Sequence, residues 1–214
     1  MNIRQDFHIH ANYNDHSELN LTIKNAIEEA EKIGLECIAF TEHVRRSSEW
    51  INDYIKEIEQ YKKKNKIKII VGFEAKILSD GNIDCNENVA RNFFIVASFH
   101  TTFQDKNKWL ELLKKTIKNE LVDVIGHLAP ENHFEIYDHE IEEIGKLINE
   151  NNKIVELNAK YRRPPEKWIR IFLKNGVKFH LGSDAHSLNE IGRFESINNL
   201  IQIVDEFNFN HNND

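Results

Sequence analysis

A group of histidines stands near the start of the sequence, in the stretch DFHIHANYNDHS. His8, His10 and His16 lie close together there, beside Asp6 and Asp15. Imidazole and carboxylate side chains are ligands for transition metals. Residues two apart on a β-strand point to the same side, so His8 and His10 could hold one ion between them. Taken alone, the stretch fits a metal site and a polar segment of a histidine-rich chain equally well.

Further potential ligands follow the other β-type runs of the sequence. Each of seven runs ends in a His, Glu or Asp side chain, and after His8 and His10 these are His43, Glu74, His100, His127, Glu156 and Asp184 with His186. The successive separations from His8 to Asp184 are 35, 31, 26, 27, 29 and 28 residues. A unit of one strand, one helix and two short loops needs roughly 25–30 residues. The spacing therefore matches a repeated βα unit.

The elements that would position these residues are short strands rich in Ile, Val and Phe, separated by amphipathic helices. Carboxyl ends of parallel strands share one face of such a fold, where distant residues converge. We expect an α/β fold with parallel strands, which the pattern alone allows as a closed barrel or an open sheet. Strands are predicted at 4–10, 36–43, 67–75, 93–100, 122–127, 153–159 and 177–186, and helices at 20–33, 49–65, 107–120, 138–151, 165–175 and 188–208.

The remaining histidines are interpreted as structural. These are His133, His139, His180 and His211. A single histidine in a strand is more often a core or surface residue than a ligand. His180 lies inside the last predicted strand, where we expect a hydrogen-bonded core role.

The chemistry of the candidate ligands restricts the metal. Imidazoles and carboxylates without a thiolate suit Zn²⁺, Mn²⁺ or Fe²⁺, whereas Mg²⁺ and Ca²⁺ sites are mostly oxygen. The candidates are too many for one ion, so two or three ions are implied. Such clusters generate hydroxide at neutral pH and bind the oxygens of a phosphoryl or acyl group.

Composition places the chain among ordinary soluble proteins. The 214 residues carry a formal net charge of −7, with 40% hydrophobic and 29% charged residues. Nothing in this composition divides residues 1–214, which we expect to form one domain. The negative charge argues against nucleic acid as a partner, although the lysine run YKKKNKIK is present. Without a signal segment or a long apolar run, we expect a cytoplasmic location and no membrane partner.

The order of the motifs resembles the PHP (polymerase and histidinol phosphatase) family over nearly the whole chain. It has H-x-H on the first strand, FTEH on the second and GFEAKI on the third, followed by SFH, GH and GSDAH. The resemblance implies a distorted (β/α)7 TIM-like barrel with a centre of three divalent transition-metal ions.

The resemblance also implies a division of the ligands among three ions. One ion would be held by His8, His10, Glu74 and Asp184. Glu74 would bridge to a second ion held by His100 and His127, and a third would be held by His16, His43 and His186. Asp15 is the alternative to His16. Glu156 would then support the ligands instead of binding metal, and Asp184 and Glu74 would be the catalytic carboxylates.

Arginines near two strand ends are candidates for binding phosphate. ELNAKYRRP is similar to a segment of histidinol-phosphate phosphatases in which an arginine binds phosphate, so Arg162 or Arg163 would do so here. Two solvated arginines are the alternative. Arg45 and Arg46, which follow His43, are candidates for the same role. A guanidinium suits phosphate because it can donate two parallel hydrogen bonds.

The expected activity is metal-dependent hydrolysis of a small phosphate monoester, through a hydroxide shared between two ions. Histidinol phosphate, nucleotide and sugar phosphates, and phosphotyrosyl proteins are possible substrates of this class. The alternatives are a nuclease that cleaves phosphodiesters of single-stranded nucleic acid and a metal-binding module without activity. The sequence does not indicate an oligomeric state.

Overall fold

The computed structural model describes residues 1–130 and 134–211, in which strands and helices alternate. His133 lies outside the described residues. The seven strands are β1 (Gln5–Ile9), β2 (Cys37–Val44), β3 (Lys68–Lys76), β4 (Phe94–Ser98), β5 (Val124–Ile125), β6 (Ile154–Asn158) and β7 (Lys178–Gly182). The helices are α1 (Ile23–Lys32), α2 (Ile51–Lys62), α3 (Glu87–Asn92), α4 (Lys106–Ile117), α5 (Asp138–Glu150), α6 (Glu166–Lys174) and α7 (Asn198–His211).

The strands form one parallel sheet in sequence order, from β1 to β7. The two edges meet through a parallel bridge between Ile9 and Ala185, just beyond β7. His10 N donates to Ala185 O at 3.0 Å and Asp184 N donates to His8 O at 2.8 Å. These bonds nearly close the sheet into a barrel. The predicted distorted (β/α)7 TIM-like barrel is confirmed, and the open sheet is excluded.

Local sequence explains where the helices begin and end, as α1 illustrates. Thr22 caps its first turn, because its Oγ1 accepts a hydrogen bond from Asn25 N at 3.1 Å. The buried residues of α1 recur at helical spacing and face the barrel: Ile23, Ala26, Ile27 and Ala30. Gly34 follows with φ of 81°, a conformation that glycine adopts without a steric penalty. The helix predicted at 20–33 therefore ends just before Gly34.

Two predicted elements differ most from the structure. The fifth strand contains only Val124–Ile125, because His127 leaves extended geometry with φ of 24°. The helix predicted at 188–208 is split into two short 3₁₀ turns and α7, and Gly192 interrupts it with φ of 66°. Between β3 and β4, where the sequence predicts a loop with at most a short helix, the structure has the six-residue helix α3. Glycine and αL residues end regular elements without altering the hydrophobic pattern that guided the prediction.

The hydrophobic core joins the strands to the surrounding helices. The largest cluster includes Phe40 and Phe73 of the strands with Tyr54 of α2 and Trp109 of α4. A second cluster joins β6 and β7 to α6 and α7. Within 1–130 and 134–211, no helix is long and apolar enough to span a membrane.

His180 does not have the hydrogen bonds expected of it. Its Nε2 is buried and has no hydrogen-bond partner among the described residues. Its ring instead stacks on Phe7, with centroids 5.2 Å apart and planes inclined by 13°. The role expected for His180 is thus corrected from a hydrogen-bonded residue to an aromatic packing residue.

Candidate metal centre

The predicted ligands converge at one end of the barrel because the parallel strands all finish there. His43 and Glu74 are paired in register on β2 and β3. His100, His127 and Asp184 each follow a strand end by two residues. Functional residues of βα barrels usually lie at this end, where the parallel strands finish.

His8 and His10 present two ring nitrogens to each other. Their Nε2 atoms are 3.1 Å apart. The opposite nitrogen of each ring is held by a carboxylate: His8 Nδ1 is 2.6 Å from Glu156 Oε1, and His10 Nδ1 is 3.3 Å from Glu42 Oε1. With the ring proton on Nδ1, each Nε2 directs a lone pair toward the other. Two facing lone pairs repel each other unless a proton or a metal cation lies between them, so the pair could chelate an ion in place of a shared proton.

Asp184 completes a first group with these histidines. Its Oδ1 is 3.3 Å from His10 Nε2 and 3.9 Å from His8 Nε2. Its other oxygen accepts a hydrogen bond from Asn158 Nδ2 at 3.1 Å. Asp184 adopts φ of 56°, in the left-handed region that costs most residues energy, and such strain is commonly found at functional sites.

Glu74 lies at the centre of the cluster and directs its two oxygens to different neighbours. Oε1 is 3.1 Å from both His100 Nε2 and His127 Nε2. Oε2 is 2.8 Å from His43 Nδ1 and lies 3.6 Å from His8 Nε2 and 3.7 Å from His10 Nε2. Only 1% of the Glu74 side chain is exposed. The two oxygens of the carboxylate therefore face different groups of histidines.

A third group of potential ligands contains His43 and His186. In this structure its third member is His10 and not His16. The His10 ring centroid is 4.3 Å from that of His43 and 4.1 Å from that of His186. His16 is 64% exposed, and its ring centroid is 5.9 Å from that of His43. Asp15, the alternative to His16, is 93% exposed. Both residues line the cavity above the cluster without joining a ligand group.

The charges of the cluster fit bound cations. Glu42, Glu74, Glu156 and Asp184 are all buried at this end of the barrel. Among the described residues, one ammonium group approaches them, at 3.9 Å between Lys160 Nζ and Asp184 Oδ1. Buried carboxylates require compensating positive charge. Imidazoles supply that charge only when they are protonated, whereas divalent ions held by the same imidazoles and carboxylates would supply it directly.

The pKa values of His10 and Asp184 also indicate that the cluster favours positive charge. Burial alone would lower the pKa of His10, but its contacts with Asp184 and Glu42 outweigh burial and raise it to about 9. Burial would raise the pKa of Asp184, yet the neighbouring His8 and His10 hold it well below its usual range. A metal ion would replace the protons that such imidazoles otherwise hold.

Comparison with known proteins assigns the family. The family model for the PHP domain matches residues 6–160. This chain belongs to the PHP domain family. A "Probable phosphatase" of Thermoanaerobacter sp. (strain X514) is 30% identical over 94% of this chain and 86% of its own length. A "Probable phosphatase" of Aliivibrio fischeri is 28% identical over 96% of this chain and 86% of its own.

Two other comparisons concern a larger enzyme and a solved structure. The "DNA polymerase/3'-5' exonuclease PolX" of Bacillus subtilis is 26% identical over 87% of this chain, which corresponds to 35% of that protein. The crystal structure of a "putative histidinol phosphatase" of Listeria monocytogenes superposes with a TM-score of 0.71 and 17% identity. The superposition covers 91% of this chain and 99% of the Listeria monocytogenes chain. At this identity the superposition shows a shared fold.

The metal-ligand cluster of this PHP domain opens into a cavity of about 1290 Å³. Of the four arginines predicted to bind phosphate, Arg45 lines the cavity. Arg46 and Arg163 donate instead to backbone carbonyls, at 3.1 Å to Ile83 O and 3.3 Å to Ala129 O. Arg162 is exposed and is not among the lining residues.

Two basic residues that line the cavity were missed by the sequence reasoning. Lys76 follows Glu74 by two residues on β3, so strand alternation could have indicated that it points the same way. Lys160 lies in ELNAKYRRP, the stretch from which Arg162 and Arg163 were selected for their bidentate geometry.

Proposed function

We propose that this PHP domain is a metal-dependent phosphatase that hydrolyses small phosphate monoesters. The observation that carries the proposal is the set of facing ring nitrogens and buried carboxylates, which opens onto a cavity with cationic side chains. The relatives described as phosphatases, which match along most of the chain, support the same activity. Residues 1–214 would act as one domain, because β6 and β7 complete the sheet begun by β1.

The ligands would be divided among three divalent ions of Zn, Mn or Fe. His8, His10, Asp184 and one oxygen of Glu74 would hold the first. The other oxygen of Glu74 would join His100 and His127 at the second. His43 and His186 would hold the third, together with His16 if the loop that carries it closes. When bound, the ions would supply hydroxide near neutral pH and neutralise phosphoryl oxygens.

The residues of the chain have distinct roles in this proposal. Glu74 and Asp184 would be the catalytic carboxylates, since both lie among the ring nitrogens that would hold the ions. Because its pKa is well below the usual range, Asp184 stays ionised, so water would protonate the leaving alkoxide. Arg45 would contact the phosphate from the cavity wall. Arg46, Arg162 and Arg163 would need to turn toward the cavity to do the same.

Hydrolysis of an aryl phosphate by metal-loaded protein tests this proposal. We expect wild-type turnover that a chelator abolishes and that Zn²⁺, Mn²⁺ or Fe²⁺ restores. His8→Ala and Asp184→Ala should each lower turnover by at least about 1000-fold, on the order of losses seen when a catalytic group is removed. His139→Ala, at an exposed histidine, is the matched control and should retain activity. Full activity in metal-loaded Asp184→Ala would contradict the proposal.

The same assay separates the candidate activities. A bis-aryl phosphate reports phosphodiester cleavage, and a phosphotyrosyl peptide reports protein phosphatase activity. We expect the monoester to be the better substrate by kcat/KM. A preference for the diester, or for a single-stranded oligonucleotide, would favour the nuclease alternative.

A further inference from the structure

Lys160 is a cationic side chain at the boundary between the metal ligands and the open cavity. Its Nζ lies 2.8 Å from His186 Nδ1 and 3.9 Å from Asp184 Oδ1. One third of the side chain, 33%, is exposed, and the residue lines the cavity. The ammonium group therefore reaches both the proposed ligands and any molecule bound above them.

The backbone that carries Lys160 is fixed to the end of the barrel. Asn158 Oδ1 accepts a hydrogen bond from Tyr161 N at 2.8 Å, and Ala159 N donates to Gly182 O at 2.9 Å. Ser196 Oγ donates to Ala159 O at 2.7 Å. The Asn158 amide also donates to both Glu156 and Asp184. The base of the Lys160 side chain thus has a fixed position relative to the cluster.

The present neighbours of the ammonium explain where it would act. Cations held by Asp184 in the first group and by His186 in the third would repel the Lys160 ammonium, because all are positive. The long and flexible side chain can turn from these residues toward the cavity, where a bound phosphate would present its oxygens. The guanidinium groups of Arg46 and Arg163 are by contrast already bonded to backbone carbonyls.

We propose that Lys160 binds a non-bridging oxygen of the substrate phosphate and selects terminal phosphate monoesters over phosphodiesters. This inference rests on the proposed phosphatase function and deepens it. A monoester carries a charge near −2 at neutral pH, whereas a diester carries −1, so one added cation favours the monoester. The selected substrate class is a small dianionic phosphate ester.

Substitution of Lys160 tests the inference through the ratio of two activities. In Lys160→Met we expect kcat/KM for an aryl phosphate monoester to fall roughly 10- to 100-fold, as for loss of a hydrogen bond from a charged group. The kcat/KM for the bis-aryl diester should change little. Lys160→Arg should recover part of the loss because it restores the charge. Lys146→Met, at an exposed lysine on α5, is the matched control and should behave as wild type.

Two measurements without turnover separate a phosphate-binding role from a structural one. Bound metal, counted by mass spectrometry, should be the same in Lys160→Met and wild type. Inorganic phosphate should bind the metal-loaded variant roughly 10-fold or more weakly in calorimetry. Lys160→Gln repeats both measurements with a polar side chain, in case the methionine variant folds poorly.

Three results would overturn the inference: equal losses for monoester and diester, unchanged phosphate binding, or loss of metal from both variants. Phosphate binding by the metal-loaded wild type does not require turnover. If the wild type hydrolyses neither ester, the proposed function fails, while the comparison of phosphate binding still decides the role of Lys160.

Discussion

Two carboxylates determine which ring nitrogen of His8 and His10 faces the centre. Glu156 binds His8 Nδ1 through one oxygen, and its other oxygen accepts hydrogen bonds from His127 N at 2.7 Å and Asn158 Nδ2 at 3.1 Å. Glu42 serves His10 in the same way and also accepts from Ala11 N at 2.9 Å. Supporting carboxylates of this kind fix the tautomer and orientation of metal-binding imidazoles. The sequence motifs therefore include two residues, Glu42 and Glu156, that would orient the metal ligands and would not bind metal themselves.

His180 illustrates a histidine that is buried for packing. Burial lowers its pKa from 6.5 to about 4, and the carboxylate of Glu156 only partly offsets this effect. The unfolded chain therefore binds a proton on His180 between about pH 6.5 and pH 4, while the folded protein does not. Its contribution to stability is complete above pH 6.5 and is lost as the pH falls toward 4.

Replacement of this histidine should reduce the acid sensitivity of the fold. In metal-free protein, we expect the free energy of unfolding of wild type to fall between pH 8 and pH 5 by about 2 kcal/mol more than that of His180→Phe. Phenylalanine retains the stacking on Phe7 and leaves no donor unpaired. Urea unfolding at both pH values measures the difference.

An exposed histidine provides the control for this experiment. His139→Phe should show the same pH dependence as wild type. An equal loss of stability in His180→Phe and wild type would show that His180 does not remain neutral in the folded protein.

At the scale of elements, the close approach of β6 and β7 positions the first ligand group. Asn158 and Gly182 are in register, and a Cβ atom on Gly182 would overlap Glu156 Oε1 and lie 2.8 Å from His8 Cβ. Glycine at this position allows the Glu156 carboxylate to reach His8. The strand pairing and the orientation of the ligand are therefore linked.

Adding one methyl group at Gly182 should disturb the metal centre. We expect Gly182→Ala to displace Glu156 and His8 and to lower metal affinity by about 10-fold or more, as for other changes to residues that support ligands. The crowding should also cost about 1–3 kcal/mol of stability. Competition with a chromophoric chelator measures the affinity.

A substitution at a second glycine, Gly72, separates the effect on metal affinity from the effect on stability. A Cβ at Gly72 would lie 2.6 Å from Phe94 O, so Gly72→Ala should also lose stability. Its metal affinity should remain near wild type, because its crowded neighbour is not among the predicted ligands. Equal metal affinity in both variants would contradict the role assigned to the contact between β6 and β7.

The sequence indicated a parallel α/β fold and most of the centre because two periodicities agree in this molecule, whereas the closed barrel was implied by the resemblance to the PHP family. The two-residue repeat of a strand placed His8 beside His10, and the longer βα repeat brought Glu74, His100 and Asp184 to the same end. Hydrophobic runs marked all seven strands. These features depend on local pattern and chain length, which a sequence displays directly.

Other features depend on contacts between distant loops and could not be inferred in this way. The sequence gives no indication that Lys160 approaches His186, since neither strand pattern nor helix pattern governs the loop after β6. The exposed position of His16 depends on the loop after β1, where Glu18 N donates to His186 O at 2.9 Å. The break at Gly192 arises from a backbone conformation that leaves the apolar pattern unchanged.

At the scale of the whole molecule, the barrel end should hold more than one ion per chain. The decisive measurement is anomalous X-ray diffraction at the zinc edge from crystals of zinc-loaded protein. We expect one peak at about 2.0–2.2 Å from nitrogen or oxygen atoms of His8, His10 and Asp184. A second peak should lie at a similar distance from Glu74, His100 and His127. Density for zinc only at other residues, or no anomalous peak at this end of the barrel, would contradict a multinuclear metal centre.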